Sequence, residues 1–463
     1  MITATGTVQA PGGFTDADAA GNFPRSRGLG RGVAELLQQR TVQAPGGFTD
    51  ADAAGNFPRS RGLGRGVAEL LMEEFMRDEK NYETIPVGRL GLIPVDGCQP
   101  LAKLVDQYLV GWRKERLHDH KERLVFDGYE RDSYIIDAAF PRFGSGEAKC
   151  QLSQSIRGDD LFILVDVCNS SLTYSMNGHI NRMSPDDHFQ NLKRVIAAAS
   201  GHARRINVFM PFLYESRQHR KNGRESMDCA MALQELVSMG VNNIITFDAH
   251  DPKIQNAIPL HGFETVRPAY QFIKYLLKYE QNLTIDNDHM MVISPDEGGM
   301  NRAVYMANVL GLDVGMFYKR RDYSRIINGK NPIISHEFLG ASVEGKDVLI
   351  IDDMISSGDS MLDVAKELKS RKANKVFVCA TFGLFTGGLK KFDNYYENGL
   401  ISRILTTNLI YQTEELLSRP YYINVDMSKY IALLIDNINH DISISELLDP
   451  VGRINKLLAN YRK

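Results

Sequence analysis

Val348-Leu-Ile-Ile-Asp-Asp-Met-Ile-Ser-Ser-Gly-Asp-Ser360 is the stretch that decides the reading of this chain. Its apolar start, Val348–Ile351, reads as a buried strand, closed by the adjacent carboxylates Asp352 and Asp353. A loop of small residues then opens a helix at Met361. Ser356, Ser357, Gly358, Asp359 and Ser360 would offer hydroxyls and backbone N–H groups at that helix's N-terminus, a cradle for phosphate. Carboxylates just upstream can accept hydrogen bonds from sugar hydroxyls, or hold a metal that bridges the sugar. An Asp-rich strand end with a serine cap would explain a lone Asp-Asp pair. The whole run of strand, acids, Ser-Ser-Gly-x-Ser and helix favours a site for a ribose bearing a phosphate.

Outward from this stretch the same alternation repeats. Leu161–Val167, Ile206–Leu213, Asn243–Phe247, Met290–Ser294, Val314–Tyr318 and Val376–Thr381 also read as buried strands. Amphipathic stretches lie between them. Ser184-Pro185-Asp186-Asp187 supplies a cap, a first-turn proline and dipole-matched acids ahead of Phe189, Leu192, Val195 and Ile196. Met227, Ala230, Met231, Leu233, Leu236 and Val237 form a second apolar face, which Gly240 ends. Strand–helix–strand alternation predicts parallel sheets with helices on both faces, and such sheets bind ligands at the carboxyl ends of their strands.

The segment just after each strand is therefore where a site would lie. After Ile206–Leu213 comes Ser216-Arg-Gln-His-Arg-Lys221, and after Asn243 comes Phe247-Asp-Ala-His-Asp-Pro-Lys-Ile-Gln255. Ser294-Pro-Asp-Glu-Gly-Gly-Met-Asn-Arg-Ala303 and Phe317-Tyr-Lys-Arg-Arg-Asp322 come next in turn. Singly, these would be a solvated charge run, a capping histidine and a solubilising turn. In this order, and with the loop after Ile351, they resemble the phosphoribosyl pyrophosphate synthetases: Arg-Gln-Asp-Arg-Lys, Asp-Leu-His-Ala-x-Gln-Ile-Gln, Ser-Pro-Asp-x-Gly-Gly-x-x-Arg-Ala and Lys-Arg-Arg. The resemblance runs over residues 88–440, with weaker matches at Arg142-Phe-Gly-Ser-Gly-Glu147, Ser155-Ile-Arg-Gly158, Thr381–Thr386 and Thr406-Thr-Asn408.

The resemblance implies an α/β fold of two doubly wound parallel-sheet domains, of the type I phosphoribosyltransferase kind. Residues 88–262 would carry the ATP motifs, 263–425 the ribose 5-phosphate loop, and 426–463 a C-terminal helical element. The implied activity moves the diphosphate of Mg-ATP to the anomeric hydroxyl of ribose 5-phosphate, a step in nucleotide biosynthesis that leaves AMP. Arg217, Gln218 and His219 would contact ATP, together with Phe143, Ser145 and Glu147, an element lent by a neighbouring subunit. His250 and Asp296 would hold the nucleotide's magnesium. Lys319 and Arg321, at the root of a mobile loop, would stabilise the moving diphosphate. Asp352, Asp353 and Ser356–Ser360 would take ribose 5-phosphate. A dimer-based homo-oligomer, possibly a hexamer, in the cytoplasm is implied as well.

Several positions depart from the family pattern. Ser145 replaces an acid or amide, Ser356 replaces the acid that opens the phosphate loop, and Asp359 stands where glycine is usual. A carboxylate there would repel a phosphate unless it points away. Phe382 replaces a histidine, and the stretch from Asn169 to Pro185 is longer than usual. These changes suggest a divergent branch and keep two alternatives in play. One is a phosphoribosyltransferase, which shares the loop after Ile351 but needs no ATP segments. The other is a non-catalytic regulatory paralogue, disfavoured by intact Lys319 and Arg321.

Composition is compatible with this reading. Of 463 residues, 43% are hydrophobic and 24% charged, and the net charge of -3 gives no reason to expect nucleic acid or an anionic membrane as partner. The five cysteines, far apart, show no zinc or disulfide spacing and read as reduced thiols. No apolar run approaches a membrane span, and no secretory signal opens the chain. Thr7–Leu37 recurs letter for letter as Thr41–Leu71. Two perfect copies read as a recent duplication or an added leader, poorly ordered, with Met72 a natural start. A binding arm displaying Arg25, Arg27 and Arg31, and again Arg59, Arg61 and Arg65, is the functional alternative.

Overall fold

The computed structural model describes residues 84–119, 127–280, 282–321 and 333–461. The duplicated leader and the loop after Arg321 lie outside the described residues, as do the side chains of residues 319–321.

Two sheets organise the chain. The first begins with β1 (Arg89–Pro94) and α1 (Gln99–Asp119), then a short antiparallel pair, β2 (Ala138–Ala139) with β3 (Gln151–Leu152). β4 (Asp159–Leu164) is buried along its whole length and lies inside the sheet, between β1 and β7. A hairpin of β5 (Thr173–Met176) and β6 (His179–Arg182) leads into α2 (Pro185–Ala199), then β7 (Arg205–Phe209), α3 (Asp228–Ser238), β8 (Asn243–Phe247) and β9 (Gly262–Val266). The order is β1-β4-β7-β8-β9, every pair parallel. The predicted cap of α2 forms in full: Ser184 accepts from the Asp187 N–H, and the Asp187 carboxylate accepts from the Ser184 N–H. β4 and β7 are shorter than expected. Val165 and Val167, and Met210 through Leu213, stay buried but lie beyond the strands, where the strand ends open onto a site.

α4 (Ala269–Tyr279) leads to the second sheet, which begins with β10 (Met290–Ser294), α5 (Met300–Leu310), β11 (Val314–Arg321) and β12 (Ile333–Leu339). β13 (Asp347–Ile355), α6 (Asp359–Ser370), β14 (Val376–Gly383), α7 (Lys390–Glu397), β15 (Arg403–Thr407), α8 (Glu414–Leu417) and β16 (Tyr422–Val425) complete it. The order is β12-β11-β10-β13-β14-β15-β16, with β12 alone antiparallel to its neighbour. From β10 the chain builds one way to β11 and β12, then the other way from β13. The reversal leaves a crevice at the carboxyl ends of β10 and β13, where such sheets bind ligands.

Two expectations shift here. β13 does not end at Ile351. It pairs with β14 as far as Ile355, so Asp352 and Asp353 sit within the strand, and α6 starts at Asp359 rather than Met361. β11 likewise runs past Tyr318 to Arg321, because β12 pairs with it from Met316↔Leu339 to Arg321↔Ile333.

The chain ends in α9 (Ser428–Asn439), α10 (Ser445–Leu448) and α11 (Val451–Tyr461). α9 packs on α1 of the first sheet. Arg113, fully buried, donates to Asn439 Oδ1 at 2.6 Å, and Asn439 donates to Asp160 Oδ2 at 2.9 Å. Arg205 grips the same Asp160 through both carboxylate oxygens at 2.8 Å. The bidentate Arg205 contact keeps the buried Asp160 charge paired.

Candidate active site

The carboxyl ends of the two sheets face each other through one buried polar network. Asp248 and His250 follow β8 of the first sheet. Arg302 on α5, Asp353 on β13 and Thr381 on β14 come from the second. Arg302 donates through Nε to Asp248 Oδ1 at 2.7 Å and through Nη2 to the Ala249 carbonyl at 2.9 Å. Its Nη2 also lies 3.6 Å from Asp353 Oδ2. The Thr381 hydroxyl donates to Asp248 Oδ2 at 2.7 Å. His250 Nδ1 stands 2.6 Å from the same Asp353 oxygen. Asp248 takes a positive φ of 40°, uncommon for a side-chain-bearing residue. The network holds it there.

Burial alone would raise the Asp353 carboxyl. The His250 hydrogen bond and the Arg302 charge outweigh burial and hold it below the usual carboxylate range. With Nδ1 turned to Asp353, Nε2 is the ring nitrogen left to face a metal, the arrangement by which a carboxylate orients a metal-binding imidazole. Asp352 shows the opposite behaviour. Burial, then the charges of Asp353 and Asp296, push its carboxyl well above the usual range. Asp296 Oδ1 accepts the N–H groups of Gly298 at 3.0 Å and Gly299 at 3.3 Å, which closes the turn after β10. Glycine at 299 permits the close approach: a Cβ there would meet the Ser294 hydroxyl at 2.9 Å and the Ile351 carbonyl at 3.3 Å, so either neighbour would have to shift.

A divalent cation suits this donor set. Three carboxylates crowd the crevice, and burial together with the charges of Asp353 and Asp296 raises the Asp352 carboxyl, a strain that a bound cation would relieve. Hard oxygen ligands with one imidazole would leave most of a magnesium shell to water and substrate phosphates. No group of three or more His, Cys, Asp or Glu side chains among the described residues is placed to hold a metal ion by itself, so these residues alone do not form a closed metal site.

The other expected residues fall into three places. Arg217, Gln218 and His219 lie between β7 and α3, and His219 meets the His250 segment: its Nε2 is 3.6 Å from Asp251, and the two imidazole centroids are 5.3 Å apart. Arg217 is exposed beside them. The segments after β7 and β8 thus converge.

Phe143, Ser145 and Glu147 sit on a separate loop, and the hydrogen bonds of that loop run to the β5–β6 hairpin and α2, not to Arg217, Gln218 or His219. Ser145 donates to Glu147 at 2.9 Å, the Asn177 N–H donates to the Gly144 carbonyl at 2.9 Å, and Arg142 reaches Asp187 at 3.3 Å with its guanidinium 3.9 Å from the Tyr174 ring centre. The extra length between Asn169 and Pro185 is therefore a brace for this loop. Phe143 itself is 58% exposed.

The small-residue loop lies between β13 and α6. Gly358 is left-handed at φ 85°, and a Cβ on it would stand 2.1 Å from the Phe392 ring, so glycine is required twice over. Ser356 accepts the Thr386 N–H through its carbonyl at 3.0 Å. Asp359 is tied to Ser357 and to Lys391. Ser360 is exposed in the first turn of α6. Lys319 and Arg321 close β11, with their side chains outside the described residues. Phe382 is buried and packs edge-on against Phe212 of the other sheet, centroids 5.0 Å apart. An apolar contact thus stands where the family has histidine.

Sequence reasoning assigned no role to Asp248, Arg302, Thr381 or Lys391. The first three lay inside motifs already quoted, but nothing in a linear pattern says that they bond to one another.

The fold and this crevice define a class first: an α/β protein whose second sheet carries a phosphoribosyltransferase-type loop. A family model for the N-terminal domain of ribose phosphate pyrophosphokinase matches residues 90–240, and one for the phosphoribosyl transferase domain matches residues 270–418. The chain belongs to the ribose-phosphate pyrophosphokinase family of diphosphate-transferring enzymes. A ribose-phosphate pyrophosphokinase of Vibrio parahaemolyticus is 29% identical over 318 residues, 68% of this chain and 91% of the relative. That of Aquifex aeolicus is 26% identical over 316 residues, with the same two coverages of 68% and 91%. A crystal structure of phosphoribosylpyrophosphate synthetase from Mycobacterium smegmatis shares the fold, with a TM-score of 0.60 at 21% identity over 76% of this chain and 99% of that one. No helix among the described residues is long and apolar enough to cross a membrane.

Proposed function

We propose that this chain makes phosphoribosyl pyrophosphate, by transferring the diphosphate of ATP to the anomeric hydroxyl of ribose 5-phosphate and releasing AMP. The observation that carries the reading is the 2.6 Å bond between His250 and Asp353. It joins the segment after β8 of the first sheet to the strand that leads into the small-residue loop, which supports a reading with both half-sites at one crevice.

In this reading Ser356–Ser360 hold the 5-phosphate, and Asp352 accepts from the ribose hydroxyls. Arg217, Gln218 and His219 hold the nucleotide, with Phe143, Ser145 and Glu147 supplied to a neighbouring copy in a homo-oligomer. A magnesium ion, held by His250 Nε2 and Asp296, would neutralise phosphate charge when bound. The anomeric oxygen forms a bond to the β-phosphorus of ATP. The bond from that phosphorus to the oxygen bridging the α-phosphate breaks, AMP leaves with the electron pair, and the hydroxyl proton passes to solvent. Phosphoryl transfer has a loose transition state, so positioning and charge stabilisation do most of the work. Lys319 and Arg321 supply that charge.

The test is AMP release by the purified chain with ATP, magnesium and ribose 5-phosphate. Equimolar AMP and phosphoribosyl pyrophosphate are expected. A chain that binds ribose 5-phosphate but releases no AMP under these conditions would overturn the assignment.

A further inference from the structure

The loop between β13 and α6 carries an acid where a phosphate cradle is least tolerant of one. Asp359 is the first residue of α6, one position beyond Gly358. Its carboxylate is not free: Oδ2 accepts from the Ser357 hydroxyl at 3.0 Å, and Oδ1 lies 2.5 Å from Lys391 Nζ. Lys391 is the second residue of α7, which follows β14. The opposite wall of the cradle is thus a helix with a cation at its start.

The backbone that carries this cation is held in place by packing, while the Lys391 side chain itself is exposed. Its neighbour Phe392 is buried and fills the hollow over Gly358, which a Cβ would close at 2.1 Å. Phe385 meets Phe392 edge-on, centroids 5.0 Å apart. The chain before α7 is bonded to the loop itself, through the Thr386 N–H to the Ser356 carbonyl at 3.0 Å and the Leu384 N–H to the Ile355 carbonyl at 2.9 Å. Loop and helix start are thus joined by packing and by two backbone hydrogen bonds.

We infer that Lys391 is a further ligand of the substrate's 5-phosphate, held over the loop by Asp359. This rests on the ribose 5-phosphate reading of that loop. An ammonium has three donors; Asp359 occupies one and leaves the others for phosphate oxygens. Asp359 acts as a positioning residue, and its own charge is cancelled by the pair it forms. The bond between lysine and carboxylate lowers the acidity of the ammonium and keeps it charged. An otherwise repulsive acid becomes the anchor of an attractive cation.

Steady-state kinetics with the full chain tests this. Lys391→Ala should raise the KM for ribose 5-phosphate about tenfold, the effect of one lost charge-assisted contact, with kcat and the KM for ATP little changed. Lys391→Arg should recover part of the loss. The double variant Asp359→Gly with Lys391→Ala distinguishes contact from mere neutralisation. Removing the unpaired acid should relieve its repulsion but not restore the lost contact, so the KM should fall below that of Lys391→Ala and stay several-fold above the unaltered value. Return of its KM to the unaltered value would overturn the inference, and so would an unchanged KM in Lys391→Ala. If the unaltered chain releases no AMP, the proposed reaction fails. Calorimetric binding of ribose 5-phosphate to the same variants then decides the role of Lys391 by the same comparison, and no binding by the unaltered chain overturns both.

Discussion

His250, after the fourth strand of the first sheet, and Asp353, inside the central strand β13 of the second, are joined at 2.6 Å although 103 residues separate them. The bond makes the segment after β8 and the strand before the small-residue loop one unit. His250→Ala should therefore lower kcat/KM measured for either substrate, not for ATP alone. In a cycle of His250→Ala, Asp353→Asn and the double variant, the effects should fall short of additivity by at least about 1 kcal/mol. Additive losses would show that the two residues act separately.

Arg302 has a different weight. It is nearly buried and spans Asp248, Asp353 and a backbone carbonyl. Its removal would leave the Asp248 carboxylate, which burial already disfavours, without a cation. Arg302→Ala should cost about 3–5 kcal/mol of stability, the range for breaking a buried pair from one side. Arg302→Lys should recover little, since an ammonium cannot reproduce the fork. Urea denaturation of the three proteins measures this, and a loss below about 1 kcal/mol for the alanine variant would contradict it.

Lys319 and Arg321 should act on the transition state rather than on the bound substrates. Lys319→Ala or Arg321→Ala is expected to lower kcat by about a hundredfold, with both KM values changing far less. Lys319→Arg should help only in part. Unchanged turnover in both alanine variants at saturating substrates would sink the proposed charge stabilisation.

Asp166, just beyond β4, is a second tie between the sheets. It accepts the Cys168 N–H at 2.9 Å and the Tyr411 N–H, from the loop after β15, at 2.7 Å. Full burial outweighs both bonds and pushes its carboxyl up to about 6. Because the folded value lies above the ordinary carboxylate value of about 4, folding takes up a proton in this window. The favourable contribution is complete below pH ~4 and is lost as pH rises through ~6. Asp166→Asn cannot ionise. Its stability relative to the unaltered chain should therefore rise by about 2 kcal/mol between pH 4 and pH 7. Urea titrations at those pH values that give a constant difference would refute this.

Element type was legible along most of the second half of the chain because burial writes a pattern. β8 and β10 match the runs of apolar residues that predicted them, and the cap before α2 formed as Ser184-Pro185-Asp186-Asp187 requires. β1 and β9 were not read, since Gly91 and Glu264 interrupt their apolar runs and only pairing with neighbours makes them strands. β13 and β11 outran their predicted ends for the same reason. Ladder hydrogen bonds from β14 and β12 can carry polar residues such as Asp352, Asp353 and Arg320 within a strand.

The residues of the crevice were determined by the sequence, whose ordered segments named His250, Asp296, Asp352 and the Ser356–Ser360 loop before any fold was known. Their partners were decided by the tertiary structure alone. Arg302 meets Asp248 across 54 positions, Thr381 meets the same acid across 133, and Lys391 meets Asp359 across 32. Local sequence encodes strand, cap and loop because those are governed by neighbours within a few residues. Which carboxylate is held ionised, and which is pushed towards its neutral form, depends on charges and burial that arrive only when distant strands are placed side by side.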